Sequence, residues 1–324
     1  MTVTIRCILA GCLATVALAF WGSASAADSY PSRTIHVVVP WKAGGGTDAI
    51  GRAYAQALKE VSGQDVVVDN INGASGAVGT AKVAHAKPDG YTLILNGDAD
   101  MNAGLAFRHE PYSLDDFIYV GGVYESPTWM LSNKESGYSS FADFEKAARA
   151  HPGQLTIGVG GATGAHMLMA AAIRGFAGLD VRIIPYSGGA DLKKALLGNQ
   201  VDAGVIHAPV LLSEVKTGLI KVLATGAPLS RVEYPPIRDV LTLRQLKIPV
   251  SFGIARVVMV PKGTPKEVVE KLGELSKKAV ESKSYQVFGA KFGFVPEWIP
   301  GSEETADIHE QLKTFQEIKA KYIQ

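Results

Sequence analysis

The sequence predicts an α/β protein made of two successive series of strands and helices, each on a parallel sheet. Three observations carry that prediction. Short β-branched runs alternate with amphipathic stretches along the chain. Glycine-rich loops stand between predicted strands and helices at four places, at the strand ends where open α/β sheets bind ligands. The chain of 324 residues, 47% hydrophobic and 19% charged, is long enough for two ordinary domains and has the composition of a folded protein.

The first series opens with the strand Ile35-His36-Val37-Val38-Val39. From Thr47 the pattern turns helical, with Ile50, Tyr54, Ala57, Leu58 and Val61 on one face and Gly63 as the stop. Val66-Val67-Val68 is the second strand, residues 76–86 a small-residue helix stopped by Lys87-Pro88-Asp89-Gly90, and residues 91–95 the third strand. In the second series, Ser140 and Asp143 form a capping box for a helix that ends at Pro152-Gly153. Strands follow at 155–159, 181–184, 201–206 and 221–224, with helices at 164–176, 190–197 and 209–217 between them. An apolar run at 252–260 leads to Thr264-Pro265-Lys266-Glu267, read as N-cap, first-turn proline and N3 glutamate of a helix reaching about Glu281. A last helix starts after Ser302, and Asp115-Asp116 and Glu303-Glu304 read as helix-start charges. Two apolar strands, near 122–131 and 250–260, are the expected crossings between domains.

Residues 1–26 read as a signal peptide. Arg6 is the only charge before Asp28, the run 7–21 is apolar, and Ala24-Ser25-Ala26 fits small-x-small cleavage before Ala27. A transmembrane anchor is the competing reading, for which the run is short. Leu9-Ala10-Gly11-Cys12 looks like a lipoprotein box, but the apolar core before Cys12 would be too short. Cys7 and Cys12 are the only cysteines, so a cleaved chain holds none, and disulfides, thiolate catalysis and cysteine–metal sites are excluded. With 32 Lys plus Arg against 31 Asp plus Glu, no basic field exists to hold nucleic acid or anionic lipid.

The loop Trp41-Lys42-Ala43-Gly44-Gly45-Gly46-Thr47-Asp48 enters a helix. The N–H groups of Gly46, Thr47 and Asp48 would be free there, and the helix dipole favours an anion. The plainer reading is a turn with Thr47 or Asp48 as the N-cap. The other loops are Asn70-Ile71-Asn72-Gly73-Ala74-Ser75-Gly76, residues 158–166, and Tyr186-Ser187-Gly188-Gly189. Walker A and dinucleotide patterns are absent. The seven histidines are dispersed, and no nucleophile elbow or metal motif occurs, which disfavours an enzyme. His166 and His207 fall near the glycine loops and are either packed or in touch with a ligand.

Several stretches taken together resemble one family. They are Tyr30-Pro31-Ser32-Arg33-Thr34-Ile35, Val39-Pro40-Trp41 with Gly44-Gly45-Gly46-Thr47-Asp48, and Ala86-Lys87-Pro88-Asp89-Gly90-Tyr91-Thr92. Further along come Tyr112-Ser113-Leu114-Asp115-Asp116-Phe117, His151-Pro152-Gly153-Gln154-Leu155, Pro185-Tyr186-Ser187-Gly188-Gly189-Ala190, Gly198-Asn199-Gln200-Val201-Asp202 and Pro261-Lys262-Gly263-Thr264-Pro265. The ordered series is similar to the Bug family, periplasmic solute receptors of tripartite tricarboxylate transporters. The resemblance implies a type II periplasmic-binding-protein fold: two α/β domains, joined by two crossing strands, that close on a ligand, usually a carboxylate. The segments would be a signal peptide at 1–26, domain 1 at 27–127 and 252–324, and domain 2 at 128–251. The candidate ligand residues are Trp41, Lys42, Gly45, Gly46, Thr47 and Asp48 in the first loop and Ser75 and Gly76 in the second. In the far domain they are Gly161, Thr163, Gly164, Ala165, Ser187 and His207.

The implied function is a monomeric, non-catalytic receptor that hands a small organic carboxylate to a two-component membrane permease. No cofactor, metal, nucleic acid or membrane insertion of the mature chain is expected. The alternative is a sensor that presents its closed form to a membrane signalling kinase. The sequence departs from the family pattern at Lys42-Ala43, at Asn72-Gly73-Ala74-Ser75-Gly76, at Ala255-Arg256-Val257, and at Ile206, where many members carry an Asp able to meet a ligand amine. That last change points away from amino-acid ligands.

Overall fold

The computed structural model describes residues 30–207, 210–226, 239–292 and 296–323; the expected signal peptide, with Cys7 and Cys12, lies outside the described residues, as does the expected start of a helix at Pro209. The first elements are β1 (Ile35–Val39), α1 (Gly46–Ser62), β2 (Val66–Asn70), α2 (Ala77–Ala84), β3 (Thr92–Gly97), α3 (Asp98–Phe107) and the long β4 (Phe117–Asn133). Then come α4 (Phe141–Ala150), β5 (Thr156–Val159), α5 (Ala165–Phe176), β6 (Arg182–Pro185), α6 (Gly189–Leu197), β7 (Ala203–His207), α7 (Leu212–Lys216) and β8 (Ile220–Thr225). The last are β9 (Gly253–Pro261), α8 (Lys266–Glu281), α9 (Lys283–Phe292), β10 (Ile299–Pro300) and α10 (Gly301–Tyr322).

The helix pattern read at α1 has a direct structural counterpart. Ile50, Tyr54, Ala57 and Leu58 are buried at helical spacing. Full burial of each large apolar side chain contributes about 1.5–3 kcal/mol. The Tyr54 hydroxyl shares a 2.7 Å hydrogen bond with Ser276 of α8, which fastens the two helices together. Gly63 closes α1 at φ 71, a left-handed conformation that favours glycine, and its N–H donates to the Lys59 carbonyl.

β1 pairs in parallel with β2 and β3, and β9 lies antiparallel between β3 and β4. In the second series β5 pairs in parallel with β6 and β7, while β4 is antiparallel to β7 and β8. The strand orders are therefore β2-β1-β3-β9-β4 and β6-β5-β7-β4-β8, one topology used twice. β4 belongs to both: Pro127 faces Gly253 of β9, and the next residue, Thr128, faces His207 of β7. One core surrounds Val37, Leu58, Leu93, Val258 and Leu272, and another surrounds Ile157, Leu168, Ala203, Phe252 and Phe315.

Three elements were not expected, and two capping expectations need correction. α3 was not read from the sequence: most of its residues are buried, so it shows no polar stripe. α9 and the two-residue β10 were also missed. Thr264 does not cap α8: Pro265 occupies the N-cap position, and the Thr264 hydroxyl donates to the Pro261 carbonyl instead. At α4 the Ser140 hydroxyl does cap, but the Asp143 carboxylate accepts from the Ser139 N–H, one residue before the position a capping box requires.

Candidate functional site

The four glycine loops surround one cleft of about 610 Å³. The first runs from the end of β1 into α1. Its N-cap is Gly45, which has no side chain to satisfy the first turn, so the N–H groups of Gly46 and Thr47 lack intrahelical acceptors. Thr47 is buried, lines the cleft and makes no capping bond. Gly44 sits at φ +83, and its N–H donates to Asp48 Oδ2 at 2.8 Å. Asp48 also accepts from Arg52 Nε at 3.0 Å and Asn70 Nδ2 at 2.9 Å. Burial pushes its carboxyl up, but hydrogen bonds from Arg52, Gly44 and Asn70 outweigh that and hold it below the ordinary value. Asp48 is thus a brace behind the loop and does not line the cleft. A carboxylate turned toward a site for anions would repel its ligand; here it holds the loop backbone in shape.

The second loop is fastened to the first through Trp41. Its indole Nε1 donates to Asn96 Oδ1 at 2.9 Å, and its ring lies over Gly76, where a Cβ would come 3.3 Å from Cζ2. Gly76 itself has φ +95. On the opposite wall, α5 starts after Gly164 and α6 after Gly188, and neither N-cap has a side-chain bond. The Ser187 hydroxyl donates to Asp191. Of the candidate residues named from the sequence, all but Asp48 line this one cleft.

Sequence reasoning missed the floor. Arg256 of β9 and Asp100 of α3 line the cleft, with Nη1 of the arginine 3.4 Å from Asp100 Oδ2. Arg256 is 4% exposed, and among the described residues its Nε and Nη1 have no hydrogen-bond partner. The available signal was a single charge inside the apolar run 252–260. With Lys42, these are the charged lining residues, a formal excess of one positive charge. His166 and His207 meet here, His166 Nε2 standing 2.8 Å from His207 Nδ1. Burial lowers the affinity of both rings for a proton. For His207, the neighbouring His166 and Arg256 push the same way and take it well below the ordinary value. At neutral pH both rings are uncharged.

Ile206 does not reach the cleft. It is fully buried in a cluster with Trp129, Leu192 and Leu211, because side chains alternate along β7 and His207 takes the cleft-facing turn. The expectation that this position meets the ligand is therefore wrong. A second cavity of about 310 Å³ is lined by Asp98, Glu125, Glu304, Asp307 and Glu310. Its acidic lining suits no anion.

A family description, tripartite tricarboxylate transporter family receptor (TctC), matches residues 50–322. The chain is a TctC-family receptor. The resemblance read from its motifs is borne out, and its class is that of solute receptors, not enzymes. BugT of Bordetella pertussis is 30% identical to this receptor over 273 residues, 83% of each chain. The crystal structure of a TctC solute-binding protein from Polaromonas, without ligand, is 29% identical with a TM-score of 0.79, covering 90% of this receptor and 99% of that chain. An R. palustris protein solved with adipate is 25% identical with a TM-score of 0.75, covering 90% and 98%. The receptor therefore has the type II periplasmic-binding-protein fold of these neighbours. Among the described residues, no helix is long and apolar enough to cross a membrane, and no group of His, Cys, Asp or Glu is placed to hold a metal ion.

Proposed function

We propose that this receptor is exported by its N-terminal segment, captures a small organic carboxylate in the periplasm as a monomer, and delivers it to a two-component membrane permease. The observation that carries the proposal is the convergence of three helix N-termini, those of α1, α5 and α6, on one cleft with a net positive lining. Unpaired N–H groups and the positive ends of helix dipoles stabilise an anion without a fully desolvated lysine on every side. The adipate found in the R. palustris neighbour supports the same class of ligand.

The two lobes, residues 27–127 with 252–324 and residues 128–251, would close on the solute by bending where β4 and β9 cross. The Arg108 Nη1 donor, 3.0 Å from Thr163 Oγ1, ties the end of α3 to the third loop and would fasten the closed form. Closure makes the apparent affinity depend on the open–closed equilibrium.

The test is a thermal-shift and calorimetric series of carboxylates, each paired with its α-amino counterpart. Carboxylates are expected to bind and the amino acids to be rejected, because an ammonium would stand unpaired near Arg256 in a desolvated site. Thr47→Ala should weaken binding by about one hydrogen bond, 0.5–1.5 kcal/mol, with the melting point unchanged. A receptor that prefers the amino acids, or that no carboxylate stabilises, refutes the reading.

A further inference from the structure

We propose that Asn96 is the positioning residue of the wall built by the first two glycine loops: its side-chain amide holds the Trp41 indole at one end and the second loop at the other, so that this wall is formed before a solute arrives. The proposal rests on the reading of the cleft as a site for a carboxylate and adds the residue that keeps one side of it in shape. Asn96 does not itself line the cleft.

The hydrogen bonds run in one direction. Asn96 is the next-to-last residue of β3, is 2% exposed and pairs with Val257 of β9. A buried amide costs folding energy unless it is hydrogen-bonded. Its Oδ1 accepts two N–H groups, the Trp41 indole at 2.9 Å and the Gly97 backbone at 2.8 Å. Both of those groups are donors only, so the acceptor end of the amide is fixed and its NH2 points the other way. There Nδ2 donates to Thr80 Oγ1 at 3.2 Å. Thr80 lies on α2, is fully buried, and gives its own hydrogen to the Gly76 carbonyl at 2.8 Å. Turned over, the amide would set N–H groups against the indole and backbone N–H groups.

The chain of bonds thus links the first loop, through the end of β3, to the second. It works beside a contact of shape: a Cβ at Gly79 of α2 would stand 2.8 Å from the Pro40 Cβ. Packing sets how near the second loop lies to the first, and Asn96 sets how the indole is turned. Trp41 and Gly76 both line the cleft, and the indole is only partly covered. The single polar atom of the ring is spent on Asn96, so Trp41 turns carbon toward a solute. Without the amide the indole is free to turn, and the cost of ordering it falls on the binding step. A wall that is competent for part of the time lowers the apparent affinity by that fraction.

Two measurements test the role of Asn96. Nitrogen-15 spectra of the solute-free receptor follow the Trp41 indole N–H, identified by its loss in Trp41→Phe. It should exchange slowly with solvent in wild type and at least about tenfold faster in Asn96→Leu. Equal exchange in the two overturns the proposal. Stopped-flow binding then uses straight-chain mono- and dicarboxylates up to suberate as probes. The acid that wild type holds most tightly should bind Asn96→Leu about threefold to tenfold more weakly, the equivalent of one hydrogen bond. The loss should fall in the association rate, with dissociation as in wild type, because no solute contact is removed. Thr80→Val, which cuts the chain of bonds at the second loop, should slow association likewise. Asn96→Ser takes the place of Asn96→Leu in both measurements should that variant fail to fold. A lowered melting point with association unchanged makes Asn96 a core residue only and overturns the proposal, as does a loss found in dissociation alone. If none of the acids binds wild type, the carboxylate reading fails instead, and the indole exchange still decides the role of Asn96.

Discussion

Replacing Asp48 separates the framework of the first loop from its ligand contacts. The carboxylate accepts from Gly44 N–H at 2.8 Å, Arg52 Nε at 3.0 Å and Asn70 Nδ2 at 2.9 Å. Hydrogen bonds to a charged group are worth about 1.5–3 kcal/mol each, but the three do not sum here. Arg52 is half-exposed and keeps Asn70 Oδ1, Asn70 Nδ2 keeps the Trp41 carbonyl, and Gly44 N–H can turn to water. Asp48→Ala should therefore cost about 2–3 kcal/mol, which for a protein of this size lowers Tm by about 3–5 °C. It should also weaken carboxylate binding about fivefold to tenfold, because a loop residue freed in the apo state must be ordered again on binding. The folded pKa of Asp48 is depressed, so its contribution is present above the unfolded value of about 3.9 and is lost as pH falls through the folded value. Melting curves of wild type and Asp48→Asn should thus converge in acid and diverge toward neutrality. A variant melting with wild type at neutral pH refutes the bracing role. One that melts low yet binds like wild type disconnects the brace from the site.

Three further outcomes follow from the same geometry. Gly79→Ala should destabilise by about 1–3 kcal/mol in denaturant, because its Cβ would come 2.6 Å from the Ile71 carbonyl oxygen and 3.0 Å from Pro40 Cα, both backbone atoms. Arg256→Met should lower carboxylate affinity at least about tenfold and also destabilise the fold, because it strips Asp100 of an ion-pair partner 3.4 Å away and Asp98 of a compensating charge; a variant that loses stability but keeps its affinity would assign Arg256 to the fold alone. Burial pushes the Asp98 carboxyl up to about 7, against the N–H groups of Ala99 and Ala255 and the charge of Arg256. Ionising it costs folding energy as pH rises from about 4 to 7, so Asp98→Asn should be more stable than wild type by about 1–3 kcal/mol above neutrality and no more stable in acid.

What could be read in the sequence is what one face of an element records. α1 shows its buried residues at helical spacing and its stop at Gly63, and β1 to β3 are β-branched runs between turn residues, so the first half of the topology is legible. α3 is covered by α10, α5 and β9 and shows no polar face, so no period betrays it. The glycine loops signal where a ligand could approach backbone, and they do gather. Charge is harder to place, because a sequence does not say which way a carboxylate turns. Asp48 reads as a site residue and stands behind the loop, while Arg256 reads as a lone charge in a strand and forms the floor. Ile206 and His207 differ by one step along β7, and one step is the difference between core and cleft.

The order of the strands also sets the order in which the molecule can be assembled. β9 enters between β3 and β4, so two neighbours in the first sheet stay apart until the chain has been made as far as Pro261. The second sheet has all its strands once β8 ends at Thr225. The part synthesised first is thus completed last, closed by a pairing of high contact order that forms slowly. A chain emerging from the ribosome keeps its first sheet open with β3 and β4 unpaired along one edge. The first sheet therefore cannot lock until β9 has been made, late in synthesis, while the second already has its strands.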